Sequence, residues 1–155
     1  GAAWPVGHAV SAPSKPGHAK PTRPTPTRIA GYAALFDIAD AARDTIRRGA
    51  FARTLAERIG PLPLFWQHRP DQPIGVVERA SEDARGLRII ARIDDPGSRA
   101  AALLGRGAVS GLSFGYRARR ARHSEAGREL LEVDLIEVSL VTQPMQHRAR
   151  VHLAR

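Results

Sequence analysis

Ser113 sits in the stretch Ser110-Gly111-Leu112-Ser113-Phe114-Gly115-Tyr116, a small nucleophile among apolar residues with glycine two positions away on either side. Glycines there open backbone conformations closed to other residues and let a second chain approach closely. Such a setting suits a hydroxyl that must meet a substrate carbonyl beside backbone N–H groups. A strand with glycine bulges has the same pattern. His68 closes the short apolar run Pro63-Leu64-Phe65-Trp66-Gln67 just before a turn at Pro70-Asp71. A strand end of this kind is rigid yet open, which suits a general base. The other histidines, His8, His18, His123, His147 and His152, fall in tails or polar loops.

Glu137 lies within V-D-L-I-E-V-S-L-V (residues 133 to 141), which is apolar on both faces around the carboxylate. An unpaired carboxylate is costly to bury, so this one calls for a partner. The partner is either an arginine in a structural ion pair or the N–H of a catalytic histidine, whose tautomer the carboxylate would then set. Together the three residues make up what a serine hydrolase needs: Ser113 attacks, His68 takes its proton and Glu137 orients His68. Ser110 and Ser139 compete with Ser113, and Asp37 and Asp71 compete with Glu137. The sequence has no Gly-x-Ser-x-Gly elbow in α/β-hydrolase context, no metal-ligand cluster and no phosphate loop, so no cofactor is expected.

The elements that would position these groups are mainly strands. Arg28 to Phe36 reads as a first strand, Asp44 to Phe51 as a turn, and Phe51 to Ile59 as a short helix with Phe51, Leu55 and Ile59 on one face. Pro73 to Ala80 and Leu87 to Ile93 read as a hairpin. Asp94-Asp95-Pro96 predicts a helix start, with the helix ending at Gly105 or Gly107. The Ser113 strand runs on to Arg122, placing Arg117 and Arg119 on one face and Arg120 and Arg122 on the other. Leu130 to Val141 and Val151 to Leu153 complete the set. Six or seven strands, two short helices and no βαβ rhythm predict an α+β domain with a mostly antiparallel sheet or small barrel.

The chain has 155 residues, enough for one domain with a real core. Residues 1 to 27 hold six of its twelve prolines and read as a basic tail or linker, extended or disordered, ahead of a domain from 28 to 155. With no cysteine, disulfides and thiol nucleophiles are excluded. No apolar run approaches a membrane span, and no signal peptide opens the chain. The net charge of +9 comes largely from arginine, and no acidic residue precedes Asp37 or follows Glu137. That charge favours a negative partner. Nucleic acid ranks lowest among the candidates, since only 5% of residues are aromatic and no binding motif accompanies the charge.

The blocks Gly31-Tyr32-Ala33-Ala34-Leu35-Phe36-Asp37, Arg48-Gly49-Ala50-Phe51 with Thr54-Leu55, Trp66-Gln67-His68 with Pro73-Ile74-Gly75, and Gly86-Leu87 resemble the prohead proteases of tailed phages. So do Gly111 to Tyr116, Ile136-Glu137-Val138-Ser139-Leu140-Val141 and Pro144, in the same order. The resemblance runs from about Arg28 to Val151. It implies a fold like the herpesvirus assembly protease, a distorted, mostly antiparallel β-barrel of six to seven strands with flanking short helices, and a serine endopeptidase with Ser113 as nucleophile and His68 as base. The herpesvirus enzymes use a second histidine where this chain offers Glu137. The implied substrates are scaffold or the N-terminal scaffolding segment of the major capsid protein, cleaved inside the immature capsid in the host cytoplasm. Self-cleavage and a homo-oligomer are further expectations, as is the absence of a membrane partner. A catalytically silent capsid-assembly or scaffold-binding module with the same fold is the alternative. Backbone N–H groups from Thr142 to Met145 or from the Phe114-Gly115 turn would form the oxyanion hole.

Overall fold

The computed structural model describes residues 25–155. The greater part of the expected proline-rich tail lies outside them. The strands are β1 (Thr27–Leu35), β2 (Asp44–Ile46), β3 (Leu62–Trp66), β4 (Arg69–Glu82), β5 (Gly86–Ile93), β6 (Gly111–Ser124), β7 (Gly127–Val141) and β8 (Val151–Ala154). Two short helices, α1 (Ala52–Glu57) and α2 (Arg99–Gly105), pack beside them. All eight strands belong to one sheet.

The sheet is organised by β7, which carries β6 antiparallel along one edge. Its other edge takes two parallel partners, β2 near Leu130 and β3 near Val138 to Leu140. From β3 the order continues through β4, β5 and β1 to β8. The sheet then curls back on itself. Leu112 N–H donates to Ala149 O at 2.8 Å, and Val151 N–H donates to Ser110 O at 2.9 Å, so the approach to β8 meets β6 and joins the two ends of the barrel.

Sequence pattern explains much of this. β5 (GLRIIARI) alternates nearly perfectly between buried and half-buried positions, as a period of two requires. Leu87, Ile89, Ala91 and Ile93 enter the core with Ile29, Leu64, Leu112, Val138 and Leu140. Phe51 is wholly buried and meets Phe114 edge-on at 5.2 Å, and Phe114 lies 5.1 Å from Tyr116. This aromatic row packs the floor of β6 next to Ser113.

Four local expectations need correction. Asp44–Ile46 is a strand rather than part of a turn, because β7 offers it a parallel edge. Helix α1 stops at Glu57, where Arg58 turns extended (ψ 129°), so Ile59 is 98% exposed and off the packed face. Helix α2 begins at Arg99. Its N-cap is Ser98, whose hydroxyl accepts from Ala101 N–H at 3.2 Å, while Asp95 serves a turn by accepting from Gly97 N–H. The register of β6 against β7 shifts between Ala118 and Arg120, which breaks the simple alternation expected for Arg117 to Arg122. Arg119 pairs with Asp134 and Arg122 with Glu129.

Candidate active site

Strands β3 and β4 form a hairpin in which Trp66 opposes Arg69, leaving Gln67 and His68 as the two-residue loop, so the turn falls there and not at Pro70-Asp71, which belong to β4. Both have positive φ, 52° and 58°, as the tight hairpin turn that matches strand twist demands. Glycine or asparagine usually fills such positions. Histidine is among the residues that tolerate them best, and non-glycine residues held there cost of order 1–3 kcal/mol each. The turn is held from several sides. Gln67 N–H donates to Leu140 O at 3.0 Å, and His68 N–H donates to Ser139 Oγ at 3.1 Å. The Gln67 amide bonds both the hydroxyl (3.1 Å) and the N–H (3.2 Å) of Thr142. The base candidate is thus pinned on a strained, well-braced loop.

Glu137 meets it from β7. His68 Nδ1 lies 2.5 Å from Glu137 Oε1, and the glutamate is only 6% exposed. Its other oxygen, Oε2, accepts from Ser139 Oγ at 2.5 Å. Since Nδ1 faces the carboxylate, Nε2 is the ring nitrogen left for a hydroxyl. His68 itself remains 43% exposed at its side chain, so one partner is buried and the other reaches a cleft.

Ser113 lies directly opposite Ser139 across β6 and β7, and Gly115 lies opposite Glu137. Paired residues share a face, as do residues two apart, so Ser113, Gly115, Glu137 and Ser139 all face the same side. Ser113 and His68 line one cavity of about 110 Å³, without hydrogen-bonding each other. Its walls include Leu112, Phe114, Ile46 and Met145, with Asp40, Asp44 and Tyr116 at the polar side.

The two glycines flanking Ser113 have separate jobs. A Cβ at Gly111 would fall 2.6 Å from Val141 O and 2.7 Å from Pro144 Cδ, so this glycine admits the turn after β7. A Cβ at Gly115 would fall 2.5 Å from Glu137 Oε1, so this glycine makes room for the carboxylate. Close approach, not unusual backbone dihedrals, is the reason for both.

The competing residues lie elsewhere or are occupied. Ser139 has no exposed surface and its hydroxyl is engaged twice. Ser110 Oγ accepts from Arg150 at 3.1 Å. Asp37 pairs with Arg47 and Arg48, and Asp71 is exposed on β4. His123, His147 and His152 are exposed, while His8 and His18 lie outside the described residues. Phe114 and Gly115 belong to the β6 ladder and form no turn.

One cluster had no counterpart in the sequence reading. Asp44 is 8% exposed and accepts from Arg128 Nε (3.0 Å) and Nη2 (2.8 Å), with Tyr116 OH at 3.3 Å. The Arg128 hydrogen bonds hold the Asp44 carboxyl below its ordinary range against the opposing effect of burial. Burial pushes the Tyr116 hydroxyl up, with the Asp44 charge adding to it. Reading Asp44 as a turn residue hid this group. Among the described residues, no set of three or more His, Asp or Glu side chains is arranged to hold a metal ion. No helix there is long and apolar enough to cross a membrane.

A family model described as caudovirus prohead serine protease matches residues 19–155. The prohead protease of Enterobacteria phage HK97 is 28% identical over 128 residues, 78% of this chain and 57% of that protein. The capsid polyprotein of Pseudomonas phage PAJU2 is 29% identical over 102 residues, 59% of this chain and 15% of that one. The chain therefore spans less than two thirds of either relative. Among solved structures, the Kaposi's sarcoma herpesvirus protease with a hexapeptide phosphonate inhibitor superposes with a TM-score of 0.60 at 13% identity, over 84% of this chain and 65% of that one. The bacteriophage T4 capsid assembly protease gives 0.58 at 17% identity, over 74% and 80%. The fold is accordingly herpesvirus-protease-like, as the family resemblance implied.

Proposed function

The chain belongs to the caudovirus prohead serine protease family, and from that premise we propose that it is a serine endopeptidase whose catalytic residues are Ser113, His68 and Glu137. The observation that carries this reading is the 2.5 Å contact between His68 Nδ1 and the buried Glu137, with Ser113 in the wall of the same cavity. Ser113 Oγ attacks the scissile carbonyl while His68 Nε2 accepts its proton. Glu137 holds the ring and stabilises the imidazolium that results. His68 then returns the proton to the leaving amine, and water releases the acyl group by the same route in reverse. Substrate entry has to bring the hydroxyl and Nε2 within bonding reach; such contacts often tighten only in the complex. Thr142 N–H is already taken by Gln67. Backbone N–H groups further along the Thr142 to Met145 segment, at the cavity rim where Met145 lies, are the proposed oxyanion donors.

The proposed substrates are the scaffolding segment of a major capsid protein or a separate scaffold, and the chain itself, inside an immature capsid in the host cytoplasm. The capsid polyprotein relative supports a link between this domain and capsid precursors. Ser113→Ala should abolish cleavage of a co-expressed capsid precursor while the thermal unfolding curve stays that of the parent. A fluorophosphonate probe should label the parent at Ser113 and leave that variant untouched. Full cleavage by Ser113→Ala would end the proposal. Absence of labelling in the parent would favour a catalytically silent assembly module.

A further inference from the structure

We propose that Ser139 is a positioning residue for the reaction, closing a hydrogen-bonded loop that starts and ends on His68. The inference rests on the peptidase reading of the site and deepens it. The backbone N–H of His68 can only donate, and it donates to Ser139 Oγ at 3.1 Å. The single hydroxyl proton of Ser139 must therefore point elsewhere, and Glu137 Oε2 lies 2.5 Å away. With Oε2 accepting from Ser139, the contact at Oε1 takes its proton from His68 Nδ1. That fixes the imidazole tautomer with its lone pair on Nε2, the form a base needs when it faces a serine.

Ser139 acts at both ends of the histidine. It anchors the backbone of a residue held at φ 58° and thereby keeps the hairpin loop in a conformation it would otherwise leave. It also holds the plane of the carboxylate that orients the ring. The serine has no exposed surface, so no water substitutes for its hydroxyl. The spacing was already present in E-V-S: Glu137 and Ser139 lie two apart on a strand and so share a face.

The ionisable groups around the pair are Asp40 and Asp44 from β2 and its approach, Tyr116 from β6 and Arg69 from β4. Arg128 ties up Asp44 and Tyr116, and none of the four changes in the variants below.

The test is the rate of Ser113 labelling by diisopropyl fluorophosphate as a function of pH, in the parent, Ser139→Ala and Ser139→Cys. Labelling joins Ser113 Oγ to phosphorus and expels fluoride, while the hydroxyl proton passes to His68, so it needs no natural substrate. Loss of the Ser139 donor concentrates the carboxylate's charge on the oxygen facing the ring. The His68–Glu137 pair then keeps its extra proton to higher pH. In Ser139→Ala the plateau rate should fall tenfold or more, and the acid limb should move up by about one pH unit. Ser139→Cys, with a weak donor of similar shape, should shift the limb in the same direction by less. It carries the test if the alanine variant fails to fold. A merely structural role would lower the rate without moving the limb. An unchanged limb in folded variants overturns the inference and leaves the peptidase reading standing, whereas a parent that is not labelled at Ser113 overturns both.

Discussion

Adding one methyl group at Gly115 should disable the site while sparing the fold. The alanine Cβ would lie 2.5 Å from Glu137 Oε1, 2.9 Å from Cγ and 3.0 Å from Cδ, where ordinary contact begins at 3.4 Å. The carboxylate oxygen must give way by about 0.9 Å. That is the oxygen now 2.5 Å from His68 Nδ1, and the move takes the pair to the edge of hydrogen-bonding range or past it. A hydrogen bond to a charged group contributes about 1.5–3 kcal/mol, so the rate should fall roughly 10- to 150-fold. The fold loses little, because Gly115 is not among the residues with positive φ and the obstructing atoms end a side chain. Reduced freedom of the unfolded chain returns about 0.4–1 kcal/mol. Unfolding free energy by urea titration should stay within about 1 kcal/mol of the parent. The assay is fluorophosphonate labelling of Ser113, backed by cleavage of a capsid precursor. A Gly115→Ala variant as reactive as the parent would show that the His68–Glu137 contact does not govern the chemistry.

Two further predictions concern the frame around the site. Arg128→Met strips the buried Asp44 carboxylate of its two guanidinium bonds and should cost about 2 kcal/mol at pH 7. The Asp44 carboxyl is held below its ordinary value of 3.8, so its contribution is complete above about pH 4 and is lost as pH falls through the lowered value. The deficit between parent and variant should shrink at pH 3, and urea titrations at both pH values would expose a constant deficit as evidence against the pairing. Gln146, 6% exposed, accepts from Leu35 N–H at 2.7 Å and donates to Leu35 O at 2.9 Å and Ile38 O at 3.3 Å. Gln146→Ala leaves two buried backbone groups unpaired and should cost about 2–4 kcal/mol in the same titration, with a loss under 1 kcal/mol refuting the clamp.

Local pattern and covalent chemistry determined more than the strands themselves. The alternation of Leu87 to Ile93 and the apolar runs around Leu64 and Val138 could only satisfy their side chains and backbone in a sheet with a buried face. The burial of Glu137 followed from its neighbours, and its need for a partner followed from that burial. Which partner was another matter, since a basic chain offers many arginines. Three tertiary facts decided it: the parallel pairing of β3 with β7, the two-residue loop that aims His68, and the glycine that leaves space for the carboxylate. Residues 68 and 137 are 69 positions apart, and no spacing rule spans that distance. Ser139 illustrates the same limit. Its hydroxyl type and its spacing from Glu137 were visible in the sequence, but its role depends also on the His68 N–H that meets it, which belongs to a hairpin from another part of the chain. Register and loop geometry arise from long-range pairing, so the sequence names the chemical groups while the closed sheet determines which of them meet.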